Sequence, residues 1–239
     1  MDALKSKFIM DFIQDDRWKY IVSGLKITLI VTALALIMGL VIGIVVAVIR
    51  TAHDQVDEKK LHGPGGLLLR FANIIAKIYL TVIRGTPTLV QLLIIYFVIM
   101  ANSTNKILSV VMAFGINSGA YVAEIIRSGI MSIDKGQMEA GRSLGLGYAT
   151  TMRKIILPQA FKNVLPALVN EMITLLKETS ISGYIGLNDL TRGGDIIRGV
   201  TFDAMLPLLV VAAIYLVIVM FFTWIMGKLE RRLRESDYR

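Results

Sequence analysis

Residues 21–49 read IVSGLKITLIVTALALIMGLVIGIVVAVI, a run in which Lys26 is the one charged residue. Roughly 20 apolar residues suffice for a helix to cross the hydrocarbon layer, so this stretch is long enough to cross with tilt. Outward from it the pattern recurs. Apolar runs cover residues 67–101, 107–130, 161–180 and 204–224. The second is interrupted by Arg84-Gly85-Thr86-Pro87 and is too long for one straight crossing. It is expected to bend at Pro87, where a missing amide and the pyrrolidine ring disturb the helical ladder. The fourth run is unusually polar for a crossing helix. Together they predict an all-α integral membrane protein with five transmembrane helices.

Composition agrees. The chain has 239 residues, 55% of them hydrophobic, and a mean hydropathy of +0.65, which excludes a soluble domain of ordinary makeup. The net charge of +8 sits in short segments beside the apolar runs, which reads as membrane topology and not as nucleic-acid binding. Segments 50–70, 131–162 and 228–239 carry 4, 5 and 5 Lys and Arg, 14 in all, against 4, 1 and 2, 7 in all, for 1–20, 101–106 and 181–203. The richer set is expected on the cytoplasmic side, with the amino terminus outside and the carboxy terminus inside. The expected division is an extracytoplasmic segment 1–20, a transmembrane domain 21–232 with a cytoplasmic loop 131–160, and a cytoplasmic tail 233–239. Residues 1–20 are mixed in charge, without a short apolar core and small-residue cleavage site, so no cleaved signal peptide is expected. Cysteine is absent, which removes disulfides, thiolate metal sites and a Cys nucleophile. His53 and His62 lie nine apart in one loop, a spacing with no metal-ligand signature.

Polar groups fall on the apolar runs at helical spacing. Arg84, Thr88 and Gln91 are spaced i, i+4, i+7. Asn117, Tyr121, Glu124 and Ser128 repeat that spacing, and Glu171, Thr174, Glu178 and Ser182 do so again. Each set would lie on one face of a helix. Charges facing lipid cost about 2.5–3.5 kcal/mol apiece on insertion scales, so the stripes are expected to face a wet interior. Glu171 lies nine residues, or about 13 Å, into its helix from Lys162, near mid-membrane. Glu171, Asn117, Tyr121, Arg84, Gln91, Thr88 and Thr174 are therefore the candidate substrate-binding residues. Glu171 would meet the cationic group of a substrate or else neutralise a base in the bundle. Arg84 could receive a carboxylate or snorkel at a helix end. Glu124 lies three residues before Arg127, which fits an intrahelical pair.

Between the third and fourth runs, residues 135–160 read KGQMEAGRSLGLGYATTMRKIILPQA. Residues 137–144 favour a short helix, which Gly145 and Gly147 would end. Glu139-Ala140-Gly141, then Gly145 and Ile156-Leu157-Pro158, resembles the cytoplasmic loop signature of the permease subunits of ATP-binding-cassette importers. Three further segments, in order, resemble the branch for histidine, arginine, glutamine and other polar amino acids. They are Arg84-Gly85-Thr86-Pro87 with Gln91, Asn117-Ser118-Gly119-Ala120-Tyr121 with Ala123-Glu124, and Leu175-Leu176-Lys177 with Thr179-Ser180. The resemblance spans residues 20–232. Gly141 stands where the family more often has Ala, and the loop at 50–66 is longer than usual for the branch.

The resemblance implies the type I importer permease fold in a bacterial inner membrane. It implies a coupling helix at 138–147, with Glu139, Ala140, Gly141, Arg142, Leu144 and Gly145 meeting a separate ATPase. It also implies a permease dimer of one gene product or two paralogues, two ATPase subunits and an extracytoplasmic amino-acid-binding protein. ATP and Mg would be bound by the partner, with no cofactor in this chain and no nucleic acid. The sequence itself lacks G-x-x-x-x-G-K-[ST], so it carries no nucleotide-binding loop of that kind. On the residues alone, a stand-alone secondary transporter or channel using intramembrane carboxylates such as Glu171 and Glu124 stays open. A membrane enzyme has no His/Cys/Asp constellation to support it. Substrates of the cationic and polar set, such as arginine, lysine or histidine, are expected over acidic ones.

Overall fold

A computed structural model describes residues 2–55 and 63–235. His62, part of the loop 50–66 and the last residues of the tail lie outside the described residues. The described part of the chain forms helices joined by short connections, with no strand among its residues. Its α-helices are α1 (Asp2–Phe8), α2 (Trp18–Gln55), α3 (Pro64–Gly85), α4 (Thr88–Ile94), α5 (Lys106–Met131), α6 (Lys135–Ser143), α7 (Tyr148–Thr151), α8 (Leu157–Glu178), α9 (Leu190–Thr201) and α10 (Met205–Glu235).

Four helices are long and apolar enough to cross a membrane: Trp18–Gln55, Pro64–Gly85, Lys106–Met131 and Met205–Arg232. The fourth predicted run forms α8, which carries Pro166 inside it and four charged side chains, and it falls outside that set. The second predicted run does not bend at Pro87; it divides. Thr86 is extended (φ −123°, ψ 148°) because the residue before a proline is pushed out of the helical region. Beyond Pro87 the chain restarts as α4 and continues in a π-helical turn, Ile95–Ile99.

The chain resolves into two compact units, and the long helices contribute to both. Residues 1–36, 88–114 and 172–227 form one, and residues 37–87, 115–171 and 228–239 the other. In the first, Phe12, Ile21, Leu190, Ile197 and Val211 form a buried cluster. Two devices tie its connecting segments. The carboxylate of Asp189 caps α9 by accepting from the amides of Thr191 and Arg192, which satisfies two of the orphan donors of a helix start. Lys7 forms an ion pair with Asp203 at 3.0 Å. Helix α9 and the helical amino-terminal segment were not anticipated by the sequence reading, because their short, charged stretches lack the long apolar periodicity it relied on.

The second unit holds the cleft described below. Its core is small: Val46, Ala76, Leu80, Ala120 and Ala123 are buried together. Small side chains let α2 and α5 approach closely. A Cβ on Gly43 would stand 2.4 Å from Val122, and one on Gly119 would stand 2.9 Å from both Ile42 and the hydroxyl of Tyr79. The sequence signal for this contact is a pair of G-x-x-x-G motifs, Gly39 to Gly43 and Gly115 to Gly119, the pattern by which membrane helices pack where no hydrophobic force drives them together. Tyr79 then donates to the carbonyl of Ile116 at 2.6 Å, fixing α3 on the same helix.

Candidate functional site

Three helices of the second unit build an open cleft of about 540 Å³. Its polar lining is Arg84 from α3, Tyr121, Glu124 and Ser128 from α5, Ser132 just beyond it, and Asn163 from α8, with Ala167 behind. Tyr121, Glu124 and Ser128 reach one surface because they recur every three or four residues along α5. The guanidinium of Arg84 is 3.1 Å from Glu124 and 5.7 Å from the centre of the Tyr121 ring, within cation–π range. Glu124 is also 3.3 Å from Arg127, the intrahelical pair expected from the spacing. Arg127 continues to Asp54 at 3.0 Å, at the end of α2. The result is a chain of alternating charges linking α3, α5 and α2. Asn163 donates to the hydroxyl of Ser132 at 2.9 Å, joining α8 to the end of α5.

Glu171 is held differently. Its Oε1 accepts from the hydroxyl of Ser118 at 2.8 Å, and among the described residues no Lys or Arg lies within ion-pair distance of it. A hydroxyl satisfies one lone pair and leaves the charge in place, so this carboxylate keeps its capacity to pair with a cation. Of the other predicted residues, Asn117 is 2% exposed and stands outside the cleft lining. Thr88 and Gln91 belong to α4, and the break at Thr86 and Pro87 removes the helical continuity that would have put them on one face with Arg84. Gln91 is buried and Thr174 exposed. Ser182 leaves the fourth stripe altogether: α8 ends at Glu178, and Ser182 is buried in the 3₁₀ segment Thr179–Ile185. The sequence reading omitted Ser118, Ser132 and Asn163, whose short polar side chains gave no charge signal.

The loop after α5 is built as a stiff unit. Asp134 caps α6 by accepting from the amide of Gly136 at 2.6 Å. At the other end Gly145 adopts φ +81°, its amide bonds to the carbonyl of Arg142, and the amide of Leu146 bonds to that of Gly141. This paired pattern closes a helix end and needs a left-handed residue, which glycine provides without steric cost. Glu139, Ala140, Arg142, Leu144 and Gly145 are exposed, Leu144 at 81%, while Gly141 is buried. A Cβ on Gly141 would stand 2.5 Å from Thr151 Cγ2 and 3.3 Å from Ile155. Glycine at this position thus lets α6 lie directly on α7 and on the π-helical turn Met152–Ile156, which runs straight into α8. Among the described residues no cluster of His, Cys, Asp and Glu is arranged to hold a metal ion.

The family model for the binding-protein-dependent transport system inner membrane component matches residues 66–235, and the chain belongs to that family, the membrane permeases of ATP-binding-cassette importers. Among its relatives is the arginine transport system permease protein ArtQ of Bacillus subtilis, 44% identical over 166 residues, covering 68% of this chain and 76% of that one. The glutamine transport system permease protein GlnP of Escherichia coli K12 is 39% identical over 218 residues, covering 90% and 93%. A solved amino acid ABC transporter crystallised with histidines is 42% identical, with a TM-score of 0.78 over 90% of this chain and 94% of that one. The inward-facing MetNI methionine transporter, at 19% identity and a TM-score of 0.75, shares the fold. Family membership sets aside the secondary transporter and the membrane enzyme: the chain is a membrane permease and not an enzyme, and ATP is hydrolysed on a separate subunit.

Proposed function

We propose that this chain forms the translocation path of an importer for polar, chiefly cationic, amino acids, with Glu171 receiving the substrate's cationic group. The observation that carries the reading is the Ser118 hydroxyl as the partner of Glu171, where a structural carboxylate would be expected to pair with a base. Arg84 and Glu124, already paired across the cleft, would open to take the α-carboxylate and α-ammonium of a passing substrate, and Tyr121 would cover the guanidinium. The names of the arginine and glutamine permeases among the relatives support an amino-acid substrate. Asn117, Thr88, Gln91 and Thr174 remain in the proposal as polar groups on the helices that line the path.

In this reading α8 is the fifth crossing. Residues 1–20 lie outside, 21–232 form the transmembrane domain and 233–239 lie in the cytoplasm. Two permeases, identical or paralogous, pair with two ATPase subunits and receive substrate from an extracytoplasmic binding protein. ATP and Mg bind on the ATPases. Transport proceeds by alternating access. The exposed tip of α6, with Glu139, Arg142 and Leu144, docks on the ATPase and moves with it. Because Gly141 seats α6 on the turn that begins α8, that motion passes to the helix carrying Glu171. Only a difference in contacts between the two states can do this work.

The test is Glu171→Gln in the reconstituted permease–ATPase complex, assayed across an amino-acid panel. Loss of uptake and of ligand-stimulated ATPase activity for cationic substrates is expected, with assembly and basal hydrolysis retained. Unchanged uptake would remove Glu171 from the site.

A further inference from the structure

Glu124, the acid of the cleft described above, stands among bases. Its Oε2 accepts from Arg84 at 3.1 Å and its Oε1 from Arg127 at 3.3 Å. Arg50 and Lys77 join all three in lining a neighbouring cleft of about 510 Å³. A carboxylate in such company can be held too firmly for the ammonium group of a substrate to displace its partners. How tightly each base holds it therefore decides what the cleft can bind.

Asp54 acts on that balance from outside. It lies near the end of α2 and lines neither cleft. Arg127 donates to its Oδ2 from both Nε and Nη2, at 3.2 and 3.0 Å, and spares one longer hydrogen bond, from Nη1, for Glu124. His53 Nδ1 is 3.7 Å from Asp54, beyond hydrogen-bond reach. A guanidinium is planar and its donors point in fixed directions, so the edge that faces Asp54 cannot face Glu124 as well. The side chains of Asp54, Glu124 and Arg127 are 36%, 34% and 23% exposed, so each pair by itself is weak, and the competition between the two acids for one base is what counts. Without Asp54, Arg127 would be free to turn that edge on Glu124, three residues away on its own helix, in a bidentate pair. Glu124 would then release Arg84, and the cleft would offer a free guanidinium where it had offered a displaceable acid.

We infer that Asp54, by holding Arg127, sets the charge preference of the substrate cleft: it keeps Glu124 accessible to an ammonium group and so favours cationic over acidic amino acids. Asp54 is a positioning residue in this scheme, and the inference rests on the proposed use of the cleft by substrate.

The experiment is scintillation-proximity binding of radiolabelled arginine and glutamate to the intact permease–ATPase complex in nanodiscs. The extracytoplasmic binding protein is left out, since its own selectivity would mask that of the path. Asp54→Asn should weaken arginine binding about fivefold, on the scale of one partly exposed ion pair, and leave glutamate binding undiminished. Asp54→Glu should stay near the wild type. Asp54→Asn/Arg127→Gln should regain most of the arginine affinity, because the base that would have turned on Glu124 is gone. Equal weakening of both amino acids, or no recovery in the double variant, would overturn the inference, since a merely structural role for Asp54 predicts those results. Glu124→Gln separates the two ideas. Arginine binding that falls in Glu124→Gln but not in Asp54→Asn overturns this inference alone; arginine binding that moves in neither, or a wild-type complex that binds neither amino acid, overturns the use of the cleft along with it.

Discussion

Two carboxylates on neighbouring helices face different surroundings, and the roles proposed for them rest on that difference. Glu124 sits between two guanidiniums, so its charge is already balanced and its exposed pairs are each worth about 1 kcal/mol or less. Glu171 has a hydroxyl. We expect Ser118→Ala to leave Glu171 less well oriented and to lower uptake severalfold, a smaller effect than Glu171→Gln, as initial rates in proteoliposomes would show. The spacing made both residues candidates, since i, i+3 and i+4 repeats are visible in a string. The pair of Glu124 with Arg127 was visible too, three residues on, but its second base was not, because Arg84 lies 40 residues from Glu124.

At the scale of elements, α6 and its seat carry the clearest consequences. Gly141→Ala should force its Cβ into Thr151 and cost about 1–3 kcal/mol of local overpacking, lowering ligand-stimulated ATPase activity while the proposed docking surface, which is exposed, stays unchanged. Gly141→Ala with Thr151→Ala, which removes both the methyl and the hydroxyl that the added Cβ would meet, should recover most of that activity; no recovery would mean that the seat on α7 is not what Gly141 serves. Gly145→Ala places a Cβ in the left-handed region, at about 1–2 kcal/mol, and should uncouple hydrolysis from transport. The cap of α9 offers a pH signature. Burial raises the Asp189 carboxyl to about 6 from its ordinary 3.8. The folded state then holds this proton more tightly than the unfolded chain, so its stabilising contribution is present below about pH 4 and is lost as pH rises through about 6. Asp189→Asn keeps a good cap and cannot ionise. Thermal unfolding in detergent between pH 4 and 7 should lose that slope in the variant, and its melting temperature at pH 7 should rise.

For the whole molecule the count of crossings is decisive. Four helices qualify by length and composition, and α8 makes a fifth only if its charges face a wet path. Because the chain has no cysteine, single cysteines at Lys5 and Arg231 can be labelled without background. Five crossings place them on opposite sides of the membrane, and an impermeant thiol reagent should reach only Lys5→Cys in intact cells. Labelling of both from outside would remove α8 from the membrane.

The sequence by itself determined the membrane class, the presence of long apolar runs and the family, because apolar run length and short glycine-bearing motifs are local properties that survive in one dimension. It did not determine that Pro87 divides a helix instead of bending it, that α9 is a capped helix, or that Ser182 turns away from its stripe. Those outcomes depend on which packing each segment finds. The tertiary structure alone placed Arg84 against Glu124 and gave Glu171 a hydroxyl for a neighbour, since pairing between charges is decided by distance across helices and not by spacing along one.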